Sequence, residues 1–372
     1  MTSPLIYFTE GSRILMSSLK QRFSSKVYDG TAQEICTAIV AECWNGRFYQ
    51  TSAGGNFAQF WTRDFGMCTA SLLKLGKKEE VHQTLRYALH RFREHKKITT
   101  TITPPPQVPT SYREPLGTPY DFPRSAIDSL AWLIHSLALS KFQIYEYHDF
   151  LQQEVMKFFT RFIDPVTGLV KGSVKTSSIK DFAIRKSSCY DNCMVGMLAR
   201  DLDALKMVNP LAKYDYPVLL LQYFWNGKYF YDDLQKLPYV AGDANVFPFV
   251  CGLVRNEQVL RSALLEVQKA GLDTPFPLKY THSRSGVRFI PQELLLWNYE
   301  STSIWMHMGP LYVKLVAQID PVKAQDYKEM YTRIIEKHKN YIEVFTADGK
   351  PYRSVYYAAD RGMLWAVNYL TL

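Results

Sequence analysis

The chain has 372 residues, of which 47% are hydrophobic and 21% charged; that balance supplies a large core and excludes a disordered or low-complexity polypeptide. Its 44 basic residues against 35 acidic ones leave a net charge of +9, moderate for this length and scattered apart from short runs such as 91–97. No RNA- or DNA-binding signature accompanies that charge, so a nucleic-acid partner is not expected.

Six cysteines stand at 36, 43, 68, 189, 193 and 251, without a CxxC pair or a regular framework. Most fall inside apolar helical patterns, which predicts buried free thiols in a reducing compartment. Cys189 and Cys193 are one helical turn apart, but no second ligand cluster joins them, and packing is the expected role; no metal is expected. The opening MTSPLIYFTEGSRILM has neither a basic n-region nor a continuous apolar stretch. No apolar run approaches the ~20 residues that span a bilayer. The expectation is a cytoplasmic protein with no membrane partner.

In chain order, residues 1–30 form a lead-in with no strong period. From Thr31 helical spacing predicts segments at about 31–44, 64–75, 78–95, 125–139, 148–163 and 188–207. Six more follow at about 214–224, 243–254, 256–270, 298–318, 322–341 and 359–372. Long segments joined by short turns, as at Gly76-Lys77, pair as hairpins. The fold class expected is all-α: an (α/α)6 barrel of about six helical hairpins, one domain over 1–372, with long functional loops at one end. Stretch 97–124 has no helical period and carries Tyr112, Tyr120 and Phe122, so it is expected to cover a cleft.

Carboxylates gather beside aromatics at loop–helix junctions. The stretch SAIDSLAWLIHSLAL has Ser125 as the expected N-cap and Asp128 in the first turn, with Trp132 one turn on. Trp61-Thr62-Arg63-Asp64-Phe65, Lys180-Asp181-Phe182 and Ile342-Glu343-Val344-Phe345 have the same character. Each acid has an ordinary structural role as the alternative: Asp64 as an N-cap, Asp181 in a surface ion pair with Lys180, Glu343 as solvated surface. Asp243 is balanced between helix N-cap and site residue. His307, in Trp305-Met306-His307-Met308, is either cleft-lining or a satisfied core histidine. No GxSxG elbow, HExxH or P-loop is present.

At these junctions the chain resembles the neutral/alkaline invertases and, more distantly, the debranching-type and processing α-glucosidases, which have six-hairpin barrels. WTRDFGMCTASLLKLGKKEEVHQTL is similar to the invertase stretch built on TRDF. DSLAWLI resembles DSGLWW, with Leu130 in place of the glycine. NYESTSIWMHMGPLYVKL resembles the debranching-type Asn, Gly, Ile-Trp-Pro pattern, with Met306 in place of the proline. IEVFTADGKPY and MLWAVNYL resemble the PEYYDT segment and the terminal helix. The resemblance implies Asp128 as general acid and Glu343 as general base, with Arg63, Asp64 and Asp181 holding the sugar. Trp61, Trp132 and Trp305 complete the expected substrate-binding set.

The expected activity is inverting hydrolysis of a small α-glucoside, with sucrose the suggested case, by an acid–base pair that needs no cofactor. The two carboxyls, Asp128 and Glu343, would then face each other across about 6.5–9.5 Å. The expected partner is a small carbohydrate, with a homo-oligomer left open. The rivals are a sugar epimerase, which needs two histidines facing one carbon, and a glycan-binding protein without a working acid pair.

Overall fold

The computed structural model describes residues 4–23, 26–103, 117–122 and 124–372. Among these residues a first helix, α1 (Pro4–Phe23), is followed by twelve α-helices as six outer–inner pairs. These are α2 (Ala32–Cys43) with α3 (Thr62–Lys74), α4 (Lys78–His95) with α5 (Asp128–Ser140), and α6 (His148–Phe162) with α7 (Cys189–Ala204). Then come α8 (Tyr216–Phe224) with α9 (Gly242–Val250), α10 (Glu257–Lys269) with α11 (Gly309–Val316), and α12 (Pro321–His338) with α13 (Ala366–Tyr369). The inner members close a ring: α3 packs on α5, α5 on α7, α7 on α9, α9 on α11, α11 on α13, and α13 back on α3. The fold is the expected all-α, six-hairpin (α/α)6 barrel.

Composition separates the two rings. Inner α5, DSLAWLIHSLALS, buries ten of its thirteen residues, whereas outer α10 buries only Leu260, Ala263, Leu264 and Val267, a single stripe at helical spacing. A helix that is apolar all round has to be enclosed by others, and the outer ring encloses it. Each fully buried Leu or Ile contributes about 1.5–3 kcal/mol, and α5 buries Leu130, Leu133, Ile134 and Leu137. That exceeds the ~1 kcal/mol of a typical N-cap, so α5 forms without a side-chain cap. Ser125 is not that cap: its hydroxyl donates to Asp121 Oδ2 at 2.8 Å, and the helix starts at Asp128. Close approach of α3 to α5 depends on Gly66, where an added Cβ would fall 2.6 Å from the Trp132 Cβ.

Three expectations are corrected. Residues 4–23 of the lead-in are helical, and α1 is anchored by Arg13 donating to the Asn56 carbonyl at 3.0 Å and Gln21 donating to Asp360 at 2.7 Å. The helix expected over 298–318 begins only at Gly309, with Pro310 in its first turn, where the missing N–H costs nothing. Ahead of it lies β4 (Ile304–Trp305), antiparallel to β5 (Val344–Phe345). The helix expected over 359–372 shrinks to α13, because Asp360 pairs with Glu343 through the backbone (Glu343 N to Asp360 O, 2.9 Å) and Gly362 turns with φ +69.

In 97–124, residues 104–116 (Tyr112 included) and Pro123 lie outside the described residues. On either side, β2 (Thr101–Ile102) and β3 (Pro119–Tyr120) pair antiparallel, and β2 also pairs with β1 (Phe60–Trp61). All six cysteines are free and buried. No helix among the described residues is long and apolar enough to cross a membrane.

Candidate active site

Each inner helix is entered from a loop, and several candidate site residues stand at these entrances. Arg63 and Asp64 occupy the first turn of α3, Asp128 begins α5, His307 precedes α11 and Trp365 precedes α13. Between them lies a cavity of about 160 Å³. Its polar lining comprises Thr51, Arg63, Asp64, Asp181, Glu300, His307 and Glu343, with the rings of Trp61, Tyr299, Trp305, Tyr357 and Trp365 around them.

Glu343 is placed by the β4–β5 register, which sets Trp305 against Val344. Met306 N–H donates to the Glu343 carbonyl at 3.1 Å. Its carboxylate accepts from the hydroxyl of Tyr299, from the hydroxyl of Tyr357 at 2.5 Å and from the N–H of Asp360 at 2.8 Å. Burial pushes this carboxyl up to about 7, against those three donors. Asp64, in the first turn of α3, is pushed up to about 7 by burial, with Arg63 opposing.

Asp181 lies on the loop between α6 and α7. It accepts from the Ser177 hydroxyl, and Arg63 donates to it at 3.4 Å. Burial raises its carboxyl above the ordinary range, again with Arg63 opposing. The N–H groups of Asp181, Phe182 and Ala183 all converge on the Glu300 carboxylate, at 2.6, 2.7 and 3.1 Å. Burial, with the Asp181 carboxyl adding to it, pushes Glu300 up to about 8. The loop is held from behind by a buried ion cluster: Lys180 pairs with Asp232 (3.0 Å) and Asp243 (2.8 Å), and Arg185 with Asp243 (2.9 Å). Lys180 is therefore no surface partner of Asp181. Asp243 is the second residue of α9 rather than its N-cap, and it supports the loop instead of lining the cavity.

Of the residues singled out by sequence, Trp61, Arg63, Asp64, Asp181, Trp305 and Glu343 meet in the cavity. Asp128 and Trp132 do not line it. The Asp128 carboxylate is fully buried behind Arg63, accepting from Arg63 Nε at 2.6 Å and from the Tyr190 hydroxyl at 2.9 Å. Trp132 Nε1 donates to that same hydroxyl at 3.1 Å. The two residues form a line, Trp132 to Tyr190 to Asp128 to Arg63, that ends on Asp181.

His307 lines the cavity. It is held neutral, well below its ordinary value, by burial and the Arg63 charge. Its Nδ1 and the Trp61 Nε1 have no hydrogen-bond partner among the described residues, so both are available to ligand hydroxyls. Trp305 Nε1 is already committed to the Tyr299 carbonyl at 2.8 Å. Glu300, Tyr299, Tyr357 and Trp365 were missed. The Trp297-Asn298-Tyr299-Glu300 run, an acid beside two aromatics, carried the same signal as the other four junctions.

No sequence-family profile and no curated protein matches the chain. Solved structures do match. A rhamnosidase from Klebsiella oxytoca with rhamnose bound superposes with a TM-score of 0.62 at 10% identity, over 93% of this chain and 65% of that one. A wild-type glycosidase matches with a TM-score of 0.61 at 11% identity, over 97% and 96% of the two chains. A GH63 mannosylglycerate hydrolase from Thermus thermophilus, in complex with Tris, matches with 0.59 at 11% identity, over 91% and 98%. The chain thus spans 65% of the rhamnosidase's length and nearly all of the other two. At these identities the likeness is one of fold: the chain has the helical barrel of glycoside hydrolases.

Proposed function

We propose that the protein is an inverting glycoside hydrolase that removes one sugar residue from an α-glucoside, with Asp181 as general acid and Glu343 as general base. The observation that carries this reading is the presence of both carboxyls in one small cavity, each with raised proton affinity and each with different partners. The cavity lies below the ~300–1,000 Å³ that encloses drug-sized ligands, which suits a single sugar ring.

The acid role moves from Asp128 to Asp181 because a proton donor must reach the leaving oxygen, and Asp128 has no face on the cavity. Burial raises both Asp181 and the neighbouring Glu300, and the Asp181 charge adds to the rise at Glu300, so the pair retains a proton near neutrality. Asp181 is assigned its delivery, because the Glu300 carboxylate is engaged by three backbone N–H groups. Glu343, poised near neutrality, takes a proton from water as that water attacks the anomeric carbon. The positive charge that develops on the sugar is stabilised by the carboxylates around it, Asp64 among them. Arg63, pinned by Asp128, keeps Asp181 in position.

The epimerase alternative is not favoured: among the described residues His307 is the lone histidine on the cavity, and burial holds it neutral. Binding without turnover predicts no product at all. Incubation with a panel of α-glucosides and detection of free glucose tests the reading. Asp181→Asn and Glu343→Gln are each expected to lose about 10²–10⁴-fold in kcat. Failure of the wild type to release sugar from any substrate, or wild-type turnover by Asp181→Asn, would defeat it.

A further inference from the structure

The cavity is not uniform with depth. Its polar groups Glu300, His307 and Glu343 are 2–3% exposed and form the floor. Of the seven half-buried lining residues, Arg63 and Asp181 are paired with each other and the other five are apolar: Ile14 from α1, Phe57 from the α2–α3 loop, Phe122 ahead of α5, Phe182 beside Asp181, and Leu296. Five segments far apart in sequence each contribute one apolar side chain to this collar. Phe57 meets Trp61 edge-on at 5.5 Å, and Trp61 meets Phe122 edge-on at 6.1 Å, so three rings follow one another around the rim.

The collar has few polar groups to offer. Arg63 is the one cation among the described lining residues, and it is committed to Asp128 and Asp181. A second sugar or a carboxylate placed there would lose water from several hydroxyls or a charge and find one uncommitted donor in the three-ring rim, the Trp61 Nε1, which is unfavourable. An aromatic group placed there gains burial and edge or offset ring contacts.

We infer that the group released by this enzyme is an aromatic aglycone, seated in the collar of Ile14, Phe57, Phe122, Phe182 and Leu296, and not a second sugar or a small acid. This rests on the hydrolase reading above and specifies its leaving-group site. Sucrose, whose fructosyl unit is polar, then becomes a poor substrate.

The test compares methyl, benzyl and octyl α-glucosides with maltose and sucrose, and with α-glucosyl fluoride. Methyl, benzyl and octyl leave as simple alcohols, so binding in the collar separates them more than leaving ability does. Fluoride fills no collar and reports on hydrolysis alone. The expected result is a benzyl kcat/KM at least about 10-fold above methyl and above both disaccharides, in line with what an added apolar contact discriminates. Phe57→Ala and Phe182→Ala should each lower the benzyl-to-fluoride ratio of kcat/KM by about 10-fold. Turnover of the fluoride with benzyl no better than methyl or maltose overturns the aglycone assignment alone. Octyl well ahead of benzyl overturns its aromatic character, and turnover of none of the substrates overturns the hydrolase reading and the aglycone with it.

Discussion

Replacing Glu343 with glutamine should make stability less dependent on pH while lowering kcat by about 10²–10⁴-fold. Glu343 is 2% exposed, and burial raises its carboxyl from the ordinary 4.5 to about 7, against hydrogen bonds from Tyr299, Tyr357 and the Asp360 N–H. The folded chain therefore binds this proton more tightly than the unfolded chain does. Stability linked to it is fully present below the unfolded value of 4.5 and is lost as pH rises through about 7. At about 1.36 kcal/mol per pH unit, the rise amounts to roughly 3 kcal/mol. Glutamine has no proton to lose, so the variant should gain on the wild type by about 3 kcal/mol between pH 4.5 and pH 8. Urea unfolding followed by tryptophan fluorescence at several pH values measures both chains. A difference between them that stays constant over this range would refute the argument.

Asp128→Asn should slow good and poor leaving groups alike, because Asp128 acts through Arg63; it should also destabilise by about 3–5 kcal/mol, since Arg63 loses its buried partner. Asp181→Asn should slow poor leaving groups far more than activated aryl glycosides, because activated groups depart with little protonation; the opposite pattern in the two variants would return the acid role to Asp128. Glu300→Gln removes the carboxylate that raises the Asp181–Glu300 pair, so the alkaline limb of the kcat/KM profile should move to lower pH, and an unmoved limb would separate Glu300 from the acid. Gly66→Ala places a Cβ 2.6 Å from that of Trp132, an overpacking worth about 1–3 kcal/mol and visible as a fall in Tm; an unchanged Tm would mean that α3 and α5 have room to part.

The barrel was legible from the number of helical segments and their order as hairpins; the structure adds that inner α5 and α9 are buried on nearly every face, whereas outer α10 buries one stripe. What period could not supply was the effect of distant backbone pairing. Residues 298–308 resemble a helix locally, yet strand pairing with 343–345 and 278–279 takes their hydrogen bonds and leaves Pro310 in a first turn. The site was legible as a set of acids next to aromatics, and six of the eight chosen residues share the cavity. Asp128 stands at a helix entrance with its carboxylate turned to Arg63 and Tyr190 and away from the cavity. Whether a first-turn acid faces the cavity or the neighbouring arginine depends on the partner across the ring, here Tyr190 of α7, which no local pattern around Asp128 contains. Glu300 was missed for the converse reason, since its role comes from three N–H groups more than a hundred residues away.

The configuration of the first-formed sugar tests the acid–base pair most directly. Without a covalent intermediate, water activated by Glu343 attacks the face opposite the leaving group that Asp181 protonates, and the anomeric centre inverts. Proton NMR of α-glucosyl fluoride or an accepted α-glucoside, recorded before mutarotation, should show β-glucose appearing first. α-Glucose as the first product would contradict the account.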